Sequence, residues 1–204
     1  MQLDEDERGF SFRDEGPLDM RMDKTQNLTA EEIVNTYSED ELGRIFREFG
    51  EEKQWRHAAK AIVQARQISP IKTTKELTLL LASIIRPKKP YKLHPATLIF
   101  QGIRIAVNNE LGVLKEVLPK ALKTLKSGGR IAVISFHSLE DRIVKQYFLK
   151  ESLDKESTSG QTGLFINKVP KVIIKTKKPI EATPQEVLDN PRSRSAKLRI
   201  AEKK

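Results

Sequence analysis

Cysteine is absent from the 204-residue chain, which excludes disulfides, thiolate zinc sites and cysteine nucleophiles and fits a reducing compartment. No window has the length and apolarity of a membrane span. The opening MQLDEDERG is too acidic and polar for a secretory leader, so the expectation is a soluble cytoplasmic protein with no membrane partner. The phosphate-cradling patterns G-x-x-x-x-G-K-[ST] and G-x-G-x-x-G are missing, as is the G-x-S-x-G elbow of many hydrolases. His57 and His94 lie far apart in sequence and have no partners at metal-ligand spacing; no zinc site is expected. Aromatics are sparse apart from eight phenylalanines, with a single tryptophan.

Hydrophobic residues make up 38% of the chain, enough for one sizeable core or a core with a small satellite. The formal charge of +9 and pI of 9.6 favour a polyanionic partner, although charge bears on association and not on fold.

Residues 1–28 carry scattered charge without a steady period. They read as a loop anchored by Phe10 and Phe12 or as a frayed tail, the tail being the commoner fate of a terminus. Helix starts then arrive in succession. Thr29-Ala-Glu-Glu32 and Ser38-Glu-Asp-Glu41 are capping boxes, and the second leads into the stripe Leu42, Ile45, Phe46 and Phe49 that stops at Gly50. A helix over 51–68 carries Trp55, Ala58, Ala59, Ile62 and Val63, and Thr73-Thr-Lys-Glu76 opens another that ends near Pro87. A basic proline-rich linker occupies 87–97. The periodic stretch from Ile99 to Leu125 follows, with a kink or two helices expected at Gly102 and Gly112.

The period then changes. Ser127-Gly-Gly-Arg reads as a turn, and IAVISF as a strand covered on both faces, as in a parallel α/β sheet. A helix should begin after it with Ser138 as N-cap and Asp141 at N3. Residues 151–163 read as a flexible loop, 171–176 and 195–201 as strands, and Thr183-Pro-Gln-Glu186 as a capping box. The expected fold class is α/β. One central strand and two later ones make an incomplete doubly wound sheet, so further strands are expected ahead of Met1.

Three groups of residues invite a chemical reading. His137 stands where a central strand gives way to a helix, the place where α/β folds put ligands, beside Ser135, Ser138, Glu140 and Asp141. A Ser–His hydrolase pair is disfavoured because adjacent residues rarely present that geometry; a helix cap and a substrate or cofactor contact both remain open. Arg104 and Asn108, four apart on one helix face, either line a cleft or tie two modules together. From Phe165 onward eleven Lys/Arg face four Asp/Glu. Lys175, Lys177, Lys178, Arg192, Arg194, Lys197 and Arg199 there either meet RNA phosphates or form a solvated face.

Four segments jointly resemble one family, in that family's order: Gln2-Leu-Asp with RGFSFRDEGPLDMRMD at 8–23, HPATLIFQGIRIAVNNEL at 94–111, GGRIAVISFHSLEDRIVK at 128–145 and NPRSRSAKLR at 190–199. They are similar to the bacterial small-subunit ribosomal RNA (cytosine-N4)-methyltransferases, and FREFGEEKQWRHAAKAI at 46–62 resembles their inserted helical domain. The resemblance implies a partial class I (Rossmann-like) methyltransferase core with an inserted all-helical domain. Residues 1–28 would be a segment of the core near the active site, 29–95 the insertion, and 96–204 the rest of the core with its basic end. It implies S-adenosylmethionine as cofactor and small-subunit ribosomal RNA or the small ribosomal subunit as partner, with no DNA. Gln2 matches a cofactor contact; the glycine-rich cofactor loop would precede Met1, so weak or no cofactor binding by this chain alone is expected.

An exocyclic amine is a poor nucleophile because its lone pair is delocalised into the ring, so it needs an oriented methyl donor and an acceptor for its proton. Asp19 and Asp23 are candidate acceptors, Phe10 and Phe136 candidate stacking faces, and His137 a candidate contact. Arg8, Phe10, Arg21, Arg104, Asn108, Arg192, Arg194, Lys197 and Arg199 are the candidates for RNA. The competing reading is a non-catalytic RNA-binding or ribosome-associated protein.

Overall fold

The computed structural model describes residues 8–11, 15–86, 94–157 and 165–204, so Gln2, Phe12 and most of the proline-rich linker lie outside the described residues. Two compact units emerge, Met1–Glu110 and Leu111–Lys204.

The first unit is helical: α1 (Ala30–Thr36), α2 (Glu39–Glu48), α3 (Trp55–Ile68), α4 (Thr74–Ile84) and α5 (Thr97–Asn108). The starts follow local chemistry. Thr29 accepts a hydrogen bond from the Glu32 amide, while Ser38 with Glu41 and Thr73 with Glu76 form complete reciprocal capping boxes. Each helix turns its apolar stripe inward, and Phe46, Leu42, Ile33, Ile62, Leu77, Leu81, Ile99 and Ile103 form one buried cluster. Helices α2 and α5 approach closely: a Cβ on Gly50 would sit 2.5 Å from the Leu98 carbonyl oxygen, and one on Gly102 3.1 Å from that of Ile45. Gly102 therefore serves packing, and α5 runs unbroken through it. The break falls at Asn109, whose φ of 47° is left-handed, a conformation that asparagine tolerates better than most residues.

The leading segment is not a frayed tail where it is described. The Leu18 amide donates to the Lys72 carbonyl and the Thr74 amide to that of Gly16, while Pro17 forms a β-bridge with Thr73. Leu18 and Met20 are buried in the helical core. Removing the Thr73 hydroxyl (Thr73→Ala) is expected to cost about 1 kcal/mol, read as a lower urea midpoint with unchanged slope; an unaltered midpoint would mean the cap contributes nothing.

The second unit holds α6 (Glu110–Thr124, whose first residue belongs to the first unit), β1 (Arg130–Ser135), α7 (Ser138–Ser152), β2 (Lys155–Ser157), β3 (Phe165–Asn167), β4 (Val172–Ile174), β5 (Ile180–Glu181), α8 (Pro184–Asp189), a 3-10 turn (Pro191–Ser195) and β6 (Lys197–Lys203). The sheet is mixed in neither sense: β6 is its centre, pairing antiparallel with β1 on one edge and with β4 and β5 on the other. Among the described residues the neighbour of β1 is therefore antiparallel, and only one of its faces is covered, against the expectation of burial on both. Ile131 and Val133 pack against Leu118, Leu122, Val144 and Phe148, whereas Ala132 and Ile134 on the alternate face are exposed, the one-sided burial usual for antiparallel pairing. Among the described residues β1 has no neighbour on its outer edge. The loop expected over 151–163 is also shorter than the sequence suggested: α7 continues to Ser152, and β2 pairs with β3.

Candidate functional site

In the helical unit the Asp19–Asp23 segment is a closed loop leading into α1. Asp19 accepts two hydrogen bonds from the Arg21 guanidinium, Nε at 2.7 Å and Nη2 at 2.9 Å, and a third from the Arg21 amide. Arg21 Nη1 donates to the carbonyls of Lys24 and Gln26. The two residues that sequence reasoning assigned separately, one to chemistry and one to RNA, are therefore each other's partners. Asp23 is exposed and accepts from both the amide and the hydroxyl of Thr25.

These contacts set the charge of both carboxylates. The Arg21 guanidinium holds Asp19 below the ordinary carboxylate range against an opposing push from burial, and the Thr25 hydroxyl and amide lower Asp23. Both stay ionised at neutral pH, suited to accepting hydrogen bonds and stabilising positive charge.

Asn108 bridges this loop to α5. Its amide nitrogen donates to the carbonyls of Met20 at 2.7 Å and Arg104 at 2.9 Å, while its oxygen accepts from the Met22 amide at 2.7 Å. Met20 between them has a left-handed φ of 59°, a costly conformation for a long side chain. Its amide donates to the Arg8 carbonyl, which places Arg8 at the same bend. Arg104 is held by Glu110 through two hydrogen bonds, from Nε at 2.8 Å and Nη2 at 3.1 Å. All of these bonds of Arg104 and Asn108 lie within the helical unit. Phe10 packs against the helical core.

In the sheet-containing unit His137 follows β1 and caps α7. Its Nδ1 accepts from the Glu140 amide at 3.4 Å, and the Glu140 carboxylate accepts from the amides of Phe136 at 2.8 Å and His137 at 3.3 Å. The cap thus falls one residue before the expected Ser138, with Glu140 in place of Asp141 at N3. Asp141 instead pairs with Arg199, whose Nε and Nη2 donate to it at 2.6 and 2.9 Å. That guanidinium lowers the Asp141 carboxyl against the opposing push of burial. Arg199 is 7% exposed, committed to an internal ion pair and not displayed on a basic surface. Phe136 is 55% exposed at the carboxyl end of β1. Arg192, Arg194, Lys177 and Lys178 are exposed and Lys197 is half-buried; Lys175 pairs with Glu202 at 3.0 Å.

Comparison with known proteins supplies an independent line. The MraW methylase family matches residues 1–204. The ribosomal RNA small subunit methyltransferase H of Protochlamydia amoebophila is 56% identical over 205 residues, an alignment covering 99% of this chain and 64% of that protein. The proteins of the same name from Caldicellulosiruptor saccharolyticus and Halothermothrix orenii are 52% and 49% identical over 203 residues, covered to 66% and 65% of their lengths. The chain thus spans slightly under two thirds of the relatives it matches.

Proposed function

The chain belongs to the MraW methylase family, and on that premise we propose that it serves S-adenosylmethionine-dependent methylation of a cytidine N4 in small-subunit ribosomal RNA. The observation that carries this reading is the 56% identity over 99% of the chain to a ribosomal RNA small subunit methyltransferase. The antiparallel β1–β6 pairing with helices on one face supports a partial class I core in the sheet-containing unit. In that reading the outer edge of β1 takes further parallel strands, and α1–α4 belong to the helical insertion.

Bound cofactor would supply the methyl group as a sulfonium electrophile. The described residues do not by themselves complete a site for it. The α7 first turn is already capped by His137 and Glu140, and Gln2 lies outside the described residues. What this chain contributes is on the side of the base and the RNA. Asp23, exposed and ionised, is the better placed of the two aspartates to accept a hydrogen bond from the amine. Asp19 orients Arg21 and so shapes the loop. Phe136 offers a stacking face, and the exposed cations Arg192, Arg194, Lys177 and Lys178 offer phosphate contacts that position without reading sequence.

The test is transfer of labelled methyl groups to small ribosomal subunits lacking the modification. This chain would be compared with a version carrying, ahead of residue 1, the corresponding part of the Protochlamydia relative. Label incorporated by the extended protein alone is the expected result. Silence from both would sink the methyl-transfer reading and favour the non-catalytic RNA binder.

A further inference from the structure

We propose that Trp55, Arg47 and Arg56 on the α2–α3 surface form a stacking platform for single-stranded RNA, an inference that rests on RNA being the partner but adds a surface to it. The platform begins with a missing side chain. A Cβ on Gly43 would lie 2.7 Å from a carbon of the Trp55 ring, so glycine there lets the indole lie against α2 while remaining only partly buried. Two guanidiniums then flank the ring: the Arg56 carbon lies 4.2 Å from its centroid and that of Arg47 5.3 Å. A cation–π contact holds each in place.

A guanidinium fixed on an indole is weakly hydrated and preorganised. Its planar face stacks on a base and its N–H edges reach phosphate. The surroundings are rich in cations, since Arg44, Lys53 and Lys60 are all exposed, with Glu51 an exposed acid among them. Of the nearby acids, Glu52 is buried and accepts from the Gln54 amide. Glu48 pairs with Arg47 at 3.0 Å, with both side chains about half exposed, an arrangement that yields readily to a competing phosphate. Stacking on aromatic and guanidinium faces is tolerant of sequence, which suits a contact that anchors a strand while the modified base is selected elsewhere.

The chain carries its own reporter, because Trp55 is its single tryptophan. The full chain would be titrated at low salt with a fluorescein-labelled single-stranded RNA, following RNA anisotropy and Trp55 emission together. Expected are a Trp55 emission change that saturates with the anisotropy and an Arg56→Gln affinity lower by about tenfold, the scale of one lost stacking contact. Arg56 is exposed, so this variant tests the surface without opening the gap against the core that Trp55→Leu would leave; circular dichroism matching the wild type would verify the fold. Anisotropy rising with unchanged Trp55 emission, or Arg56→Gln binding as tightly as wild type, overturns the platform. No rise in anisotropy at all overturns the RNA reading itself, and the platform with it.

Discussion

Replacing Arg199 by alanine is expected to destabilise the Leu111–Lys204 unit by about 3–5 kcal/mol, the cost of leaving a buried charge without its partner. The side chains of Arg199 and Asp141 are 8% and 13% exposed, so water cannot readily take over from the guanidinium. The replacement also loosens β6, the central strand, from α7. Arg194→Ala, which removes an exposed charge a few residues away, should change stability by less than about 0.5 kcal/mol.

The same pair predicts a pH dependence with a definite sign. Asp141 has a depressed pKa in the folded protein because Arg199 favours its charged form. Its contribution is therefore complete above the unfolded value of about 3.9 and is lost as pH falls through the folded one. The stability gap between wild type and Arg199→Ala should accordingly be full at neutral pH and shrink in acid. Urea denaturation across that range measures it. Near-wild-type stability of Arg199→Ala combined with weakened RNA binding would return Arg199 to the phosphate-contacting role its place in a basic segment first suggested.

What the sequence showed plainly was chemistry confined to a few neighbouring residues. The caps at Thr29, Ser38, Thr73 and Thr183 each accept from an amide three residues on, so all four helix starts could be read from spacing. The sheet could not be, because β1 pairs with β6 between residues as distant as Arg130 and Glu202, and no local pattern carries that register. Val133 and Ile134 looked alike as apolar letters, yet one is packed and the other exposed; only the helices α6 and α7 laid on one side decide which face is covered. The Asp141–Arg199 pair was equally out of local reach, its members lying 58 positions apart. At the candidate site, charge and position drew attention to Asp19 and Arg21 but not to their bonding to each other, while the helical spacing of Arg104 and Asn108 left both a cleft and a structural tie open. Trp55 was read only as a helix residue. The clue to its setting, a glycine twelve positions earlier that makes room for the ring, acquires meaning only once α2 and α3 are packed.

Asn108→Ala is expected to cost about 1–3 kcal/mol, because it strips the side-chain donor from the buried Met20 carbonyl, and it also removes the acceptor of the Met22 amide. It also removes the constraint that holds Met20 left-handed, and a strained residue persists only while its surroundings over-determine it. The loop should therefore loosen before the helices do. Amide exchange at Met22 should accelerate while exchange in α2 and α3 changes only with global stability. Asn108→Asp separates the two roles of the side chain. It keeps an oxygen for the Met22 amide but points a carboxylate at the Met20 and Arg104 carbonyls, so its charged form is disfavoured and its folded pKa must rise above the unfolded value. The variant should then be weakest at neutral pH and regain stability relative to wild type as acid protonates the new group and restores a donor. If instead Met22 exchanges at the wild-type rate in Asn108→Ala, the bend is held by burial of Leu18 and Met20 alone, and the loop that carries Asp19 and Asp23 owes its shape to the core and not to α5.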